Sequence, residues 1–244
     1  MRIYGDLAPW FHLLTAPAEY AAEAERYRGL IFEETPEART LLELGSGGGN
    51  NASHLKAHFS CTLSDLSPQM LTLSRELNPD CEHVLGDMRA LRLGRTFDVV
   101  FVHDAVMYLT TEDDLRACME TAFSHTKPGG VALFAPDCTR ETFEPGTDHG
   151  GHDGEDGRAL RYLEWTHAPE RGATSFPIDY VVVLSDPGAE PRSVHERHVN
   201  GLFPEHTWLH LLERAGFAAR LVPGDPTDED AAQPVFLAHR PAGT

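Results

Sequence analysis

The sequence predicts an α/β fold built on a mostly parallel sheet of seven strands with helices on both faces. Three observations lead to this prediction. An apolar strand over 41–44 runs directly into a glycine-rich turn, and helical spacing follows the turn. Strand-like and helix-like segments then alternate up to residue 137, which is the order of βαβ units. The strand over 97–102 is almost unbroken in apolar residues, as parallel strands buried on both faces require.

The glycine-rich turn is the first element that indicates a function. Gly45, Gly47 and Gly49 can adopt positive φ and leave no Cβ in the way of a ligand. A turn between a strand and a helix is also where open α/β sheets bind nucleotide cofactors. The dinucleotide pattern G-x-G-x-x-G would need a glycine where Asn50 stands. The chain instead reads E-x-G-x-G-x-G, beginning at Glu43.

This E-x-G-x-G-x-G pattern resembles the first motif of the class I S-adenosylmethionine (SAM) methyltransferases, whose core is a Rossmann-like sheet. The resemblance implies that SAM is the cofactor and that the three glycines line its site. It also implies that Glu43 contacts the amino-acid end of SAM, directly or through water. A nicotinamide cofactor and a purely structural glycine turn are the alternatives.

Two further acids follow the next strands at spacings that match this family. The second predicted strand ends at Asp65, about 20 residues past the turn, where an acid can accept hydrogen bonds from both ribose hydroxyls. Leu66, beside it, is expected to contact the cofactor as well. The resemblance implies that Asp87 accepts from the adenine amino group and that the Met88 amide donates to the ring. The alternatives are a helix cap for Asp65 and an ordinary turn for Asp87.

The fourth predicted strand ends in His103 and Asp104, which similar enzymes place beneath the methyl donor. We expect both side chains to be catalytic and His103 also to contact the cofactor. A histidine or an aspartate can accept the proton of an amine or hydroxyl acceptor. In the alternative, the backbone here contacts the methionine part of SAM and the side chains cap the following helix, 112–125.

Residues 1–38 are predicted to form an N-terminal helical cap, with a helix over 18–33. Tyr4 and Tyr20 are expected to contact the cofactor and Trp10 to form a wall of the substrate pocket, because aromatic ring faces attract a sulfonium. The alternative is an amphipathic segment that simply covers the sheet.

Residues 138–202 are predicted to form a three-stranded antiparallel β lid over the cofactor crevice. The lid interrupts the predicted SAM-binding core, 39–137 and 203–244, whose last two strands complete the seven-stranded sheet. The stretch 144–157 is rich in glycine and contains two histidines. We expect a flexible hinge there rather than a metal site, because metal ligands need a stiff surrounding shell. The acidic segment 224–233 is expected to be a solvated loop.

Within class I, the chain resembles the bacterial N,N-dimethyltransferases that act on nucleotide-linked amino sugars in antibiotic biosynthesis. The shared segments lie at 20–24, 86–97, 108–115 and 198–203 and along the lid strands. The resemblance implies a pocket for a small amine, with Tyr108, Trp165 and His198 as candidate lining residues; packing is their alternative role. The family's tyrosine near the substrate amine cannot be placed, because residues 12–15 occupy that region.

Composition narrows the partners. A formal net charge of −18 argues against nucleic acid and against an anionic membrane surface, because both attract clustered Lys and Arg. No apolar run approaches the ~20 residues that span a bilayer, and the first residues lack the apolar core of a secretion signal. We therefore expect a cytoplasmic protein with four reduced cysteines. Free lid edges are often covered by a second subunit, so a homodimer through the lid is one expectation.

Three functions remain open from the sequence. The first is N-methylation of an amino sugar or similar small amine, and the second is O-methylation of a natural-product hydroxyl. The third is a SAM-binding partner protein without catalysis. The acids at 43, 65 and 87 favour a working donor site, whereas nothing in the sequence separates nitrogen from oxygen acceptors.

Overall fold

Residues 1–225, 227 and 232–243 are described by the computed structural model of the chain. The strands are β1 Thr40–Leu44, β2 Ser60–Asp65, β3 Glu82–Leu85, β4 Phe97–Val102, β5 Thr126–Phe134, β6 Gly146–Gly150, β7 Ala159–Thr166, β8 Ser175–Ser185, β9 Arg192–Gly201, β10 Ala218–Val222 and β11 Val235–His239. The α-helices are α1 Phe11–Leu14, α2 Ala21–Glu34, α3 Asn50–Leu55, α4 Pro68–Leu77, α5 Glu112–His125 and α6 Glu205–Ala215. Short 3-10 helices span Ala8–Trp10, Pro17–Tyr20 and Asp104–Tyr108.

Seven strands form the central sheet in the order β10-β11-β5-β4-β1-β2-β3. Strand β11 pairs antiparallel with both of its neighbours, and the other pairs are parallel. The order reverses between β1 and β4, so the carboxyl ends of these two strands open a crevice. The predicted fold class, a Rossmann-like seven-stranded sheet with an antiparallel insertion, is confirmed.

Both faces of this sheet are buried. Leu42 and Leu44 face a cluster with α5 and α6, to which Met119 and Trp208 belong. Leu41, on the opposite face, packs in a cluster with side chains of α2 and α3. Because every strand residue of β1 from Leu41 onwards is buried, the strand carries an almost continuous apolar sequence.

The lid is a four-stranded antiparallel sheet in the order β6-β7-β8-β9, one strand more than predicted. The extra strand, β6, lies in the glycine-rich stretch that we expected to be a flexible hinge. Its residues pair with β7, and Tyr162 donates a hydrogen bond to Asp148 across the two strands (2.9 Å). Composition failed to predict β6 because glycine contributes no side chain that indicates a strand.

The N-terminal segment packs on the inner face of the lid. Ile3, Leu7 and Trp10 form a buried cluster with lid residues that include Leu160 and Val182. In the described part of the chain, no helix is long and apolar enough to cross a membrane. Most of the predicted solvated loop over 224–233 lies outside the described residues.

Candidate active site

A cavity of about 790 Å³ lies at the carboxyl ends of β1, β2 and β4, between the central sheet, the N-terminal segment and the lid. Most of the site residues expected from the sequence line it. These are Tyr4, Tyr20, Glu43, Gly45, Gly47, Asp65, Leu66, Asp87, Met88, His103, Asp104, Tyr108 and His198.

Three expected residues are not brought to this cavity. Trp10 is buried beneath the lid, where the guanidinium groups of Arg158 and Arg192 lie over its ring. Trp165 is 57% exposed on the outer face of the lid, because alternation along β7 points it away from the cavity. Gly49 is the N-cap residue of α3, where a side chain would meet Asn78 and Ser74.

The glycine turn has the conformation that its sequence indicates. Gly45 has φ +78°, and a Cβ there would lie 2.5 Å from the Cβ of Ala105 and 2.7 Å from the Cε of Met88. Gly47 has φ +53°, and a Cβ there would meet no atom within 4 Å. Gly45 therefore lets the backbone pass close to Ala105 and Met88, whereas Gly47 borders open space in the cavity.

Asp65 fixes the turn from the end of β2. Its Oδ2 accepts a hydrogen bond from the Gly47 amide (2.8 Å), and its Oδ1 accepts one from the Ser67 amide (2.7 Å). Burial raises the pKa of Asp65 above its usual value, although these amides oppose the shift. The cap of α4 is made by Ser67, whose hydroxyl accepts from the Met70 amide, and not by Asp65. Each Asp65 oxygen retains acceptor capacity toward the cavity.

Glu43 is buried at the end of β1, with 3% of its surface exposed. Its Oε2 has no hydrogen-bond partner. Burial raises the pKa of Glu43 to about 8, and the charge of His103 opposes part of this shift. A buried carboxyl oxygen without a donor is costly in a folded protein, which points to a donor supplied by a ligand or by water.

Asp87 lies at the opposite rim of the cavity and is paired with Arg89. The Arg89 Nη2 is 2.7 Å from Asp87 Oδ2, and its Nη1 is 2.8 Å from Asp114 Oδ1. This hydrogen bonding lowers the pKa of Asp87. Arg89, which stands two residues after Asp87, was not among the residues expected at the site.

His103 and Asp104 form an ion pair at the end of β4. His103 Nε2 lies 2.9 Å from Asp104 Oδ1 and 3.4 Å from Glu23 Oε1, and His103 Nδ1 is 3.3 Å from Asn51 Nδ2. Burial opposes the charged imidazole, but Asp104, Tyr27 and Glu23 together raise the pKa of His103 well above its usual value. His103 itself makes no side-chain cap, and Thr111 caps α5, so helix capping does not explain this pair.

Tyrosine hydroxyls join the three walls of the cavity. The Tyr4 hydroxyl is 2.7 Å from that of Tyr108, which is 2.9 Å from Nδ1 of His198 on the lid. The Tyr20 hydroxyl accepts a hydrogen bond from Thr15 (2.8 Å). Burial raises the pKa of each of these tyrosines, so all are neutral at ordinary pH.

Comparison with known proteins identifies the family of this fold and cavity. Residues 41–130 match a methyltransferase domain model. The chain is 34% identical over 212 residues to dTDP-3-amino-3,4,6-trideoxy-α-D-glucopyranose N,N-dimethyltransferase of Streptomyces venezuelae, covering 86% of this chain and 88% of that one. The chain belongs to the SAM-dependent methyltransferases.

Solved structures resemble this methyltransferase along almost its whole length. DesVI of Streptomyces venezuelae has a TM-score of 0.85 and 28% identity, and the match covers 96% of this chain and 98% of that one. SAM-bound CalS10, an amino pentose methyltransferase of Micromonospora echinaspora involved in calicheamicin biosynthesis, has a TM-score of 0.76 and 26% identity over 91% of both chains.

The residues of this methyltransferase fit SAM, which is its cofactor. The unpartnered Oε2 of Glu43 can accept a hydrogen bond from an ammonium group, and the open space at Gly47 leaves room for a ligand beside the backbone. Asp65 retains acceptors for ribose hydroxyls. When bound, SAM supplies a methyl group already activated by a positively charged sulfur.

Several cavity residues of the methyltransferase were missed by the sequence analysis. Asp137 lies just beyond β5, and Glu164, Tyr180 and Asn200 face the cavity from the lid. Asp137 could have been found, because the carboxyl ends of adjacent parallel strands share one edge of a sheet. The lid residues could not have been predicted, because both faces of β7 and β8 carry apolar side chains. The sequence therefore leaves undecided which face of each strand points to the cavity.

The histidines of the glycine-rich stretch take no part in a metal cluster that the structure describes. Within the described ranges, no group of three or more His, Cys, Asp or Glu side chains could hold a metal ion. His152 instead bonds to Glu19, with 2.9 Å between Nε2 and Oε1. This contact ties the lid to the N-terminal segment.

Proposed function

We propose that this methyltransferase transfers the methyl group of SAM to the nitrogen of an amino sugar or a similar small amine, in the biosynthesis of a natural product. The observation that supports it most is the carboxylate of Asp104, which lines the cavity at the end of β4 and is held by His103. The relative from Streptomyces venezuelae is named as an amino-sugar N,N-dimethyltransferase, which is the same chemistry.

We assign His103 and Asp104 different roles in this proposal. His103 has its two nitrogens directed at protein groups and only 12% of its side chain exposed, so it positions Asp104. Asp104 is 47% exposed and faces the cavity. Enclosure by the walls of the cavity alone would raise the pKa of Asp104, but the charge of His103 and the hydrogen bonds with His103 and Asp137 bring it below its usual value. Asp104 is therefore ionised and can hold an incoming ammonium by a charged hydrogen bond, while the proton that the amine gives up before methyl transfer leaves to water.

The remaining cavity residues orient the two reactants. SAM is held by residues of the glycine turn and the strand ends, namely Glu43, Gly45, Gly47, Asp65, Leu66, Asp87 and Met88. Tyr4 and Tyr20 cover the bound SAM. Tyr108 and His198 face the acceptor. Alignment of a neutral amine with an activated methyl group accounts for much of the rate enhancement of methyl transfer. At the ideal limit, such positioning lowers the barrier by ~7–11 kcal/mol. The division into a cap over 1–38, a core over 39–137 and 203–244, and a lid over 138–202 belongs to the same proposal.

Matched acceptors test the proposal. The full chain is incubated with SAM and an amino sugar, and in parallel with the sugar that has a hydroxyl in place of the amino group. We expect a gain of methyl mass on the amino sugar alone. A gain on the hydroxyl sugar alone would support the O-methyltransferase alternative, and SAM binding without product on a broad acceptor panel would support the non-catalytic one.

The proposal extends to the state of the protein in the cell. We infer a cytoplasmic enzyme that does not bind nucleic acid, on the basis of its net charge of −18. We also infer a homodimer through the lid, whose outer face exposes Leu163, Trp165, Val181 and Val183. Sedimentation of the wild type and of Trp165→Glu tests the dimer, which the substitution should dissociate. Equal sedimentation of the two proteins as monomers would contradict it.

A further inference from the structure

Two buried polar side chains on the lid strand β9 lack hydrogen-bond partners. His198 and Asn200 are only 4% and 6% exposed, and both line the cavity. Within the part of the chain that the structure describes, the Nε2 of His198 and the Oδ1 of Asn200 have no partner. Because buried polar atoms without partners are rare in folded proteins, this wall of the lid points to polar groups of a ligand.

The two side chains lie at the acceptor end of the cavity. Strand β9 packs closely on the segment that follows β4, since a Cβ on Gly201 would lie 2.2 Å from the carbonyl oxygen of Leu109. His198 Nδ1 is 2.9 Å from the hydroxyl of Tyr108, which ends the short 3-10 helix that begins at Asp104. The acids assigned to SAM lie on or just after β1, β2 and β3, in the other half of the sheet. The acceptor side of the cavity, rather than the SAM side, therefore holds these atoms.

The hydrogen-bond chain around His198 decides which of its nitrogens carries the proton. Burial lowers the pKa of His198, so the ring is neutral near neutral pH and has one N–H. The Glu196 carboxylate, which accepts two backbone amides of the N-terminal segment, lies 3.6 Å from Nε2. That distance is too long for a hydrogen bond, but the negative charge favours the proton on Nε2. Nδ1 then accepts from Tyr108, whose hydroxyl in turn accepts from Tyr4. His198 therefore offers a donor at Nε2, and Asn200 offers an acceptor at Oδ1.

We propose that His198 and Asn200 bind a hydroxyl group of the acceptor sugar, on a ring carbon next to the carbon that carries the amine. His198 Nε2 donates to the hydroxyl oxygen, and Asn200 Oδ1 accepts the hydroxyl hydrogen. A hydroxyl group is a donor and an acceptor at once, so it satisfies both side chains. The 3-10 helix from Asp104 to Tyr108 is only ~8 Å long, so an amine held at Asp104 leaves a neighbouring ring substituent close to β9. The inference rests on the proposed N-methylation and names residues that decide its substrate specificity.

Three sugars that differ in single hydroxyl groups test the inference. In dTDP-3-amino-3,6-dideoxy-α-D-glucopyranose both ring carbons beside the amine carry a hydroxyl, and its 2-deoxy and 4-deoxy analogues lack one each. We expect one of the two deletions to lower kcat/KM at least ~10-fold, because a sugar without the hydroxyl leaves two buried polar groups unpaired. Equal kcat/KM values for all three sugars would overturn the inference and leave the proposed N-methylation standing. Methyl gain on oxygen in place of nitrogen would instead overturn the proposed function.

A variant that removes the acceptor atom tests the role of Asn200. We expect Asn200→Ala to shrink the wild-type preference for the parent sugar over the less active deoxy sugar at least ~5-fold, because one hydrogen bond to the hydroxyl is lost. A purely structural role would slow all three sugars alike and leave this ratio unchanged. The Kd for SAM, measured by calorimetry, should stay unchanged and shows that the variant folds.

The donor atom and a control are tested in the same assay. His198→Phe keeps a ring but removes the donor, so it should also shrink the preference while the Kd for SAM stays unchanged. Ser193→Ala is the matched control, because Ser193 also lies on β9 but is exposed and outside the cavity. This control should keep the wild-type preference. A preference in Asn200→Ala or His198→Phe as large as in the control would overturn the assignment.

Discussion

The hydroxyl groups of Tyr4 and Tyr108 lie 2.7 Å apart, and this hydrogen bond connects the N-terminal segment to the carboxyl edge of the central sheet. Tyr108 also bonds to His198 of the lid (2.9 Å). One side chain of the core therefore holds both elements that cover the cavity. The arrangement explains how a segment near the N-terminus, far away in sequence, becomes part of the site.

Removing the hydroxyl of Tyr108 should loosen both covering elements. We expect Tyr108→Phe to lower the free energy of unfolding by ~1–3 kcal/mol, because two partly buried hydrogen bonds are lost. Denaturant unfolding measures this change. The control is Tyr162→Phe, whose hydroxyl bonds only within the lid, to Asp148. A loss no larger in Tyr108→Phe than in the control would contradict the linking role.

The buried Glu43 should make stability depend on pH. Its pKa is raised from an ordinary 4.5 to about 8, so between these values the folded chain holds a proton that the unfolded chain releases. Stability should therefore fall as pH rises through this window. Unfolding free energies of wild type and Glu43→Gln, measured from pH 5 to pH 8, test the point. The free energy of unfolding should fall less steeply with pH in Glu43→Gln than in wild type. Glu37→Gln, which changes a 90% exposed side chain, should follow the wild-type curve. Parallel curves for all three proteins would contradict it.

SAM binding should release a proton from the same residue. If the ammonium of SAM meets Glu43, the carboxyl must ionise, and at pH values below about 8 its proton leaves for the buffer. Calorimetric titration in buffers of different ionisation enthalpy counts this proton. We expect close to one proton in wild type near neutral pH and almost none in Glu43→Gln. Equal proton release in both proteins would place the ammonium of SAM elsewhere.

The space beside Gly47 should be needed by the ligand and not by the fold. Gly47 and Gly94 both have positive φ, at +53° and +69°, and a Cβ at either position meets no atom within 4 Å. Alanine at each position should cost a similar ~1–2 kcal/mol of stability. Only Gly47→Ala should weaken SAM binding, by at least ~10-fold, because its methyl group enters the cavity. Similar Kd values for SAM in the two variants would show that the ligand does not approach Gly47.

The strand over 41–44 and the glycine turn that follows it could be predicted from the sequence, because local chemistry decides both. An apolar strand buried on two faces and a turn that needs positive φ leave few alternatives. Strand β6 was missed because Gly146 and Gly150 at its ends provide no side-chain pattern. Its pairing with β7 creates the strand, and pairing is not visible in one segment alone.

The positions of large aromatic residues could not be predicted in the same way. Trp10 was expected in the pocket and is buried against Leu160, and Trp165 was expected in the pocket and lies on the outer face of the lid. In β7, Leu160 and Leu163 lie on opposite faces, so both alternating sets contain apolar residues. A shift of one residue exchanges the two faces, and only the packed structure decides between them.

The most direct test of the account is the identity of the atom that receives the methyl group. The wild-type chain is incubated with an amino sugar and SAM labelled in its methyl carbon, and the product is examined by carbon NMR. We expect labelled methyl resonances of an N-methyl amine, and slower growth of these resonances at limiting SAM when Asp65→Ala or Gly47→Ala replaces the wild type. A labelled O-methyl resonance, or no labelled product from any amine despite SAM binding, would contradict it.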